Sequence, residues 1–566
     1  MQPTQVIQNR PYVASLQRKE TLLSTCFRQG QLDRVNVLGD DKSGHTGCVN
    51  ALSWGKGGEV LVSSGDDTHI RLWRLSENNL EQEYPFTCDA VIHTGHRANV
   101  FNAQMLPHCS RIVTVAGDRQ VRVFDHEKAG GYPLHTGEME YGTREAAIRI
   151  IKCHKGRVKR IITEDSPDLF LTVAEDGTVR QHDLRVSHSC RGDLACSAPL
   201  VQLSHELSSI SLSPMTPYQF VVAGASPYGY LFDRRHSGRL LQAEWGQSPA
   251  SDELTTCVRR FGRNTRGPHE RKGHEHITGT RMASTNGFEV LLSYSADAIY
   301  LYSTLDDPPP TSMAPLDSSV LRPNRKRDSR RTSDGASNTS DVGISQSRRD
   351  AMMEEDIERI LADSGNHSSR AENECLPLLE DSMEEDDPDV RPENEEDDDN
   401  DDDEDGEEEA EGDKRYSGVD TLLPRSRFSG VCNVETVKDV NFLGPRDEYI
   451  VSGSDDGNWF MWEKSTGRLH DILEGDGSVV NVIEGHPYLP LVAVSGIDHT
   501  IKLFATTPEP SKFSRMERAD AIVKRNTDAA APRRSDLANL LLYYRLTRRL
   551  GREGEGEEGD PECNFQ

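Results

Sequence analysis

The sequence predicts an all-β fold, a seven-bladed propeller carrying a long disordered acidic insert and short flanking helices. Three observations point to it. First, one pattern recurs along the chain: an apolar strand, a tight turn, then an alternating strand. It reads LVSSGDDTHIRLWRL at 61–75, IVTVAGDRQVRVFDH at 112–126, LTVAEDGTVRQHDLR at 171–185, IVSGSDDGNWFMWEK at 450–464 and LVAVSGIDHTIKLFA at 491–505. Second, aligning the ring-bearing position at the end of the third strand gives seven copies, at Trp73, Phe124, His182, Phe232, Tyr302, Trp462 and Phe504. Third, intervals between those positions are 51, 58, 50, 70, 160 and 42 residues. Against roughly 40–45 residues per blade, only the fifth interval demands a large insertion.

Each copy reads as a four-strand unit. Asp176-Gly177 in the third copy sits where a two-residue hairpin needs positive φ. Six residues before the ring position lies an aspartate in five copies: Asp67, Asp118, Asp176, Asp456 and Asp498. Gly44-His45 and Gly95-His96 precede the first two copies. A histidine donating to the turn aspartate, with the terminal ring closing over both, forms a buried hydrogen-bond relay; without such partners a buried carboxylate is too costly. The expected relay residues are His45, Asp67, Trp73, His96, Asp118, Asp176, Asp456, Trp462 and Asp498. This arrangement resembles the WD40 repeat. Closing seven such sheets into a ring removes long free edges. The last copy then needs an outer strand from elsewhere, and RVNVLG at 34–39 has the right place and alternation.

Taken in order, residues 1–30 hold a candidate amphipathic helix at 11–30, with Leu16, Leu22, Leu23 and Phe27 at near-helical spacing. Packing on its own domain and docking a partner are both open readings. Residues 31–304 give the closing strand and blades 1–5, 305–427 the insert, 428–506 blades 6 and 7, and 507–566 a basic helical tail. The insert is poor in apolar residues and cannot bury enough surface to order itself. A surface loop of this length adds little closure entropy. Within it, RPNRKRDSRR at 322–331 reads as a nuclear-import signal or a solvated patch, and Ser382 beside Glu384 and Glu385 as a phosphorylation candidate. Residues 380–413 hold 23 acidic side chains and one basic one, so most of the net charge of −29 is local. That tract reads as a solvated spacer or as a binder of histones and other basic proteins. In the tail, Ser535 and Asp536 would cap a helix over 537–550 that packs back on the propeller, with membrane-surface binding as a minor alternative.

Composition narrows the function classes. Hydrophobic residues make up 35% of the 566, and mean hydropathy is −0.66, which places a good part of the chain outside any core. No run approaches the ~18 apolar residues that span a bilayer. The first residues lack a signal-peptide core, so an intracellular protein of nucleus and cytoplasm is expected, with no membrane partner. The 11 cysteines are scattered without a C-x-x-C, so neither a disulfide framework nor structural zinc is expected, only reduced and mostly buried thiols. The terminal Cys563-Asn564-Phe565-Gln566 lacks the aliphatic residue of a prenylation signal. No nucleophile–base pair, metal spacing, phosphate loop or nucleotide fingerprint emerges, so no catalytic residue and no cofactor are assigned and no direct nucleic-acid binding is expected. A propeller of this kind reads as a recognition platform.

The sharper clue lies where two neighbouring third strands end. One reads His182-Asp183-Leu184-Arg185, the other Phe232-Asp233-Arg234-Arg235. Both arginines leave the same rim of adjacent blades, a forked-donor pair suited to acidic or carbonyl partners; local pairing with the preceding aspartate is the alternative. Adjacent W-D-x-R-like motifs resemble those of the cullin-4-associated WD40 factors, substrate receptors of cullin-RING ubiquitin ligases. Further stretches, GCVNALSW at 47–54, YLFDRR at 230–235, YSADAIYLYS at 294–303 and HPYLPLVAVSGIDHTIKLF at 486–504, resemble the nuclear-receptor-interacting and IQ-motif WD-repeat branch. The resemblance implies a non-catalytic receptor. It would hold the ligase's damaged-DNA-binding adaptor through Asp183, Arg185, Asp233, Arg235 and the 11–30 helix, and recruit a protein substrate with its opposite face. His182 and Phe232 replace the motif's tryptophan, and Leu541 stands where an IQ motif needs glutamine. The rival reading is a nuclear scaffold binding histones or other basic proteins through the acidic tract.

Overall fold

Apolar residues on both faces of a strand require a neighbour on both faces, and the second strand of every repeat meets this condition. Val60–Gly65 is buried along its whole length, and Leu169–Ala174 after its first residue. The result is a stack of sheets around a ring. The computed structural model describes residues 10–308 and 414–531, apart from 41–42, 77–82, 136, 189, 191–195, 197, 237–256, 268–269 and 271–272; side chains of the first helix are described from Arg18 onward.

Seven sheets form seven blades. Blade 1 runs Val49–Gly55, Val60–Gly65, His69–Leu75 and Phe86–His93. Blade 3 runs Val158–Thr163, Leu169–Ala174, Thr178–Asp183 and Val201–Gln202, and blade 4 runs Leu207–Leu212, Gln219–Gly224, Gly229–Asp233 and Cys257–Phe261. First strands touch in sequence around the centre, and that of blade 7 (Val480–Gly485) returns to that of blade 1. The ring is closed. Its apolar core is divided into seven clusters, each between two adjacent blades, such as Leu171, Val179, Phe220 and Phe232 between blades 3 and 4.

The N-terminal strand supplies the missing edge. Gln31–Leu38 pairs antiparallel with Ile501–Thr507, Leu38 opposite Ile501, and so becomes the outer strand of blade 7. Turn chemistry follows the sequence. Gly177 has φ +72°, and a Cβ there would lie 2.4 Å from the Leu203 carbonyl oxygen, so only glycine fits this hairpin.

The insert is shorter than expected at its far end. The chain re-enters at Lys414, not near residue 428. Tyr416 packs 5.9 Å from Phe232, and Thr421–Leu422 adds a parallel strand beside Cys257–Phe261 in blade 4. The outer strand of blade 5 is Ser426–Phe428. Tyr416, Val419 and Leu422 pack into the clusters of blades 3 to 5, and these apolar contacts order 414–427. The basic cluster at 322–331, Ser382 and the acidic tract (380–413) lie outside the described residues.

Two helices flank the ring. Arg10–Gln29 ends with Phe27 buried against Leu443, Tyr449 and Phe504, and Ser24 donates to the Glu448 carboxylate, while Leu22 stays exposed. At the chain's other end Ala519–Ala530 packs Ile522 and Val523 against Val431 and Phe460, and Asn526 donates to the Gly430 carbonyl oxygen at 2.9 Å. The helix expected over 537–550 lies outside the described residues.

Candidate functional site

The relay residues position the strands that carry the rim. In blade 1 the Trp73 indole donates to Ser63 Oγ at 2.8 Å, Ser63 lies 2.8 Å from His45 Nε2, and His45 Nδ1 lies 2.8 Å from Asp67. An indole can only donate, so Ser63 passes its own proton to Nε2 and His45 donates from Nδ1 to the carboxylate. Burial holds the His45 ring below its ordinary pKa, that is, neutral. Burial opposes ionisation of Asp67, but hydrogen bonds from His45 and His69 outweigh it and keep the carboxyl well below the usual range. Blade 2 repeats the pair: His96 Nδ1 lies 3.0 Å from Asp118, and Nε2 lies 2.9 Å from Thr114 Oγ1. Phe124 has no donor, so the chain stops one step short.

Blade 3 has a full relay that the Gly-His search misses. His154, preceded by Cys153 rather than glycine, lies 3.3 Å from Asp176 and 2.7 Å from Thr172 Oγ1, and Thr172 lies 2.8 Å from His182 Nε2. His182 takes the tryptophan's place because its ring nitrogen can donate as an indole does, and it stacks 5.0 Å from Phe170. The spacing is the missed signal: each histidine stands 22 residues before its aspartate in all three blades.

Two expected relay aspartates serve other ends. Asp456 has no histidine; it accepts from Asn458 at 2.8 Å and from Arg525 of the C-terminal helix at 3.0 Å. Trp462 of the same blade is buried against Phe460 and Phe428. In blade 7 the position 22 residues before Asp498 is held by Asp476, whose carboxylate accepts the Asp498 N–H at 3.2 Å. Two carboxyls therefore share one pocket with Lys502. Burial and the neighbouring Asp498 push Asp476 up to about 6, while Asp498 is held at about 2 by its hydrogen bonds against the opposing effect of burial.

The rim lies at the other end of the third strands, opposite the relay turns. Asp183 Oδ1 accepts from the Arg185 backbone N–H and Nε, both at 2.9 Å, and Oδ2 accepts from Nη2 at 2.8 Å. Asp233 holds Arg235 in the same way, at 2.9, 3.0 and 2.7 Å. The two turns are copies of one another. Each aspartate is kept below the ordinary carboxylate range chiefly by the hydrogen bond from its arginine. The arginine side chains remain 63% and 60% exposed, so the clamp fixes each guanidinium without hiding it. Arg235 also lies 3.6 Å over the Tyr218 ring. Local pairing and outward presentation, alternatives in the sequence, coexist.

Cross-ties stiffen this arc. Arg234 donates to Glu164 of blade 3 at 2.8 Å, and Arg149 of blade 2 donates to the Val186 carbonyl at 2.9 Å. Blade 2 offers a third cation: Asp125, buried at the same position as Asp183, holds the 80% exposed Lys128 at 2.9 Å. An aspartate directly after the ring position in three consecutive blades was the readable sign. The buried end of the first helix sits on this same rim, at blades 6 and 7.

The cysteines depart from expectation. Of nine described, only Cys257 and Cys432 are buried. Cys153, Cys190 and Cys196 instead gather around His188 with all four ligand atoms within 4.8 Å of one another, although no C-x-x-C joins them.

Comparison with known proteins agrees with the frame. The WD domain, G-beta repeat family profile matches residues 37–74. The chain is similar to the WD repeat protein iqw1 of Schizosaccharomyces pombe, at 24% identity over 84% of this chain and 88% of that protein. It is similar to human WD and tetratricopeptide repeats protein 1, at 25% identity over 82% of this chain and 84% of that one. A partial likeness, 29% identity over 46% of this chain and 27% of the relative, is to human DDB1- and CUL4-associated factor 6. The profile match thus falls on one of the seven blades of the frame, at residues 37–74.

Proposed function

We propose that this propeller is a non-catalytic substrate receptor of a cullin-4 RING ubiquitin ligase, docking the DDB1 adaptor through its paired Asp–Arg turns. The observation that carries the reading is the repetition of one turn on adjacent blades: each arginine is held by its own aspartate and presents its remaining N–H donors outward. A guanidinium immobilised in advance loses little side-chain entropy on binding a carbonyl or carboxylate. The name of the partial relative, a DDB1- and CUL4-associated factor, supports the partner. In this reading Arg185 and Arg235 are the anchors, Lys128 adds charge at the arc's edge, and the first helix extends the contact. The opposite face, with the segment at 309–413, selects the target protein.

Co-purification of the tagged full chain with the adaptor tests this. An Arg185→Ala/Arg235→Ala protein is expected to lose the adaptor while still melting cooperatively, because Asp183 and the buried Asp233 each keep the backbone N–H two residues on as a donor. Retention of the adaptor at the wild-type level would refute the assignment. The acidic tract favours a second reading, a scaffold for histones or other basic proteins. Deleting 380–413 is expected to abolish such binding and to leave adaptor binding unchanged.

A further inference from the structure

Four side chains outside the rim's chemistry converge at one point of blade 3. Cys153 lies in the loop just ahead of the relay histidine. His188, Cys190 and Cys196 lie in the connection between Thr178–Asp183 and the outer strand Val201–Gln202. His188 Nε2 is 3.1 Å from Cys153 Sγ, 3.0 Å from Cys190 Sγ and 3.6 Å from Cys196 Sγ, and the Cys153 and Cys190 sulfurs are 3.5 Å apart.

Hydrogen bonding does not account for this. An imidazole nitrogen has one proton or one lone pair and can serve one sulfur, not three. A disulfide needs sulfurs ~2.05 Å apart and would strand the third thiol and the ring. Hydrophobic packing fails as well, since all four residues are only half-buried. A tetrahedral centre with metal–sulfur bonds of ~2.3 Å and a metal–nitrogen bond of ~2.0 Å sets its ligand atoms ~3.5–3.8 Å apart. The four short separations lie within about 0.5 Å of that geometry, and all ligand atoms within 4.8 Å of one another, so closing on an ion takes movements of no more than about 1 Å. We propose that Cys153, His188, Cys190 and Cys196 form a structural zinc site. Three thiolates and one imidazole match Zn²⁺ by softness and number, and four protein ligands leave no open position for catalysis.

The site has a mechanical consequence for the fold. The connection from Asp183 to Val201 has a short outer strand of two residues to anchor it. A zinc ion would tie that connection to the stem of blade 3 within a few residues of Arg185. It would therefore set where the chain goes after the Asp183–Arg185 turn. A cavity of about 210 Å³ lined by Arg149, Arg180, Asp183 and His188 lies beside it, so the site borders the rim directly.

Metal analysis of the full chain decides the matter. Protein expressed with supplemental zinc and purified under reducing conditions without chelator is expected to carry one zinc per chain by inductively coupled plasma mass spectrometry. Cys190→Ser/Cys196→Ser protein is expected to carry less than about a tenth of that. Because the variant could misfold, wild-type protein loaded with Co²⁺ gives a second reading. Strong visible bands of a tetrahedral ion together with near-ultraviolet thiolate-to-metal charge transfer are expected, and the visible bands should weaken in His188→Ala. Metal-free wild-type protein, zinc retained by the double variant, an octahedral cobalt spectrum, or a native disulfide among the three cysteines would each overturn the proposal.

Discussion

Blades 3 and 4 present the same Asp–Arg turn from interiors built on different chemistry. Blade 3 threads a polar relay, Asp176, His154, Thr172 and His182, through its sheet. Blade 4 has no histidine–aspartate pair at the matching position; Phe232 stacks 5.7 Å from Phe220, and Tyr416 from beyond the insert closes over it. Yet the clamps at Asp183 and Asp233 agree to about a tenth of an ångström. The rim turn is therefore encoded locally, by an aspartate that captures the backbone and side chain of the arginine two residues on. The interior's task is only to hold the strand that delivers it.

The comparison can be broken most forcefully from inside. Asp176→Ala strands His154, the Lys155 N–H and Thr178 around a vacated carboxylate and is expected to cost about 3 kcal/mol in urea unfolding. Ser226→Ala, the matching position in blade 4, removes two longer contacts, 3.2 Å to the Tyr230 hydroxyl and 3.2 Å from the Tyr228 N–H, and is expected to cost about 1 kcal/mol. Equal costs would mean that the relay contributes nothing special to blade 3.

Acidity separates two further regions. His45, His96 and His154 are held neutral by burial, so between their lowered values and about 6.5 the unfolded chain binds more protons and the relays lose stability as pH falls. Blade 7 runs the other way: Asp476 is raised, the folded state binds the extra proton, and this stability is lost as pH rises from about 4 to about 6. Asp476→Asn is expected to stabilise the protein at pH 7.5 by about 1 kcal/mol and to change little at pH 5, read by thermal melting at both values. Destabilisation at pH 7.5 would contradict the shared-pocket account.

Smaller effects sharpen the rim itself. Arg235 rests on Tyr218, whereas Arg185 lies over no aromatic ring among the described residues. Tyr218→Ala is expected to weaken adaptor binding by about 0.5–1 kcal/mol, roughly two- to fivefold, in a titration with purified DDB1. At the outer edge, Arg525→Ala breaks a pair between an exposed arginine and a largely covered Asp456 carboxylate that keeps its bond from Asn458, and is expected to cost no more than about 1 kcal/mol. A loss above 2 kcal/mol there would mean that the C-terminal helix depends on this one contact.

Much of this is legible in the sequence, for a physical reason: a propeller repeats one local solution, so register survives the loss of individual residues. The ring count, a closing strand expected at 34–39 and found at Gln31–Leu38, and the insertion in blade 5 follow from strand alternation and the alignment of the ring-bearing positions. His154 escaped because the Gly-His dipeptide is a weaker signal than the 22-residue separation that its hydrogen bond to Asp176 enforces. Asp456 and Asp498 looked like relay members because the hairpin turn favours aspartate whether or not a histidine faces it. The ordering of 414–427 depends on Tyr416 meeting Phe232 nearly two hundred positions earlier in the chain. No local pattern encodes such a contact. The Cys153–His188–Cys190–Cys196 cluster was hidden for the same reason, since its ligands come from two segments that only the closed blade brings together.

The central claim, that the paired turns are the docking anchors, is tested most directly by a double-mutant cycle measured by calorimetry with purified DDB1. Arg185→Ala and Arg235→Ala are each expected to weaken binding by about 1.5–2 kcal/mol, and the double variant by 3 kcal/mol or more, roughly a hundredfold. A double variant that binds with the wild-type affinity would place the adaptor elsewhere on the protein and contradict the account.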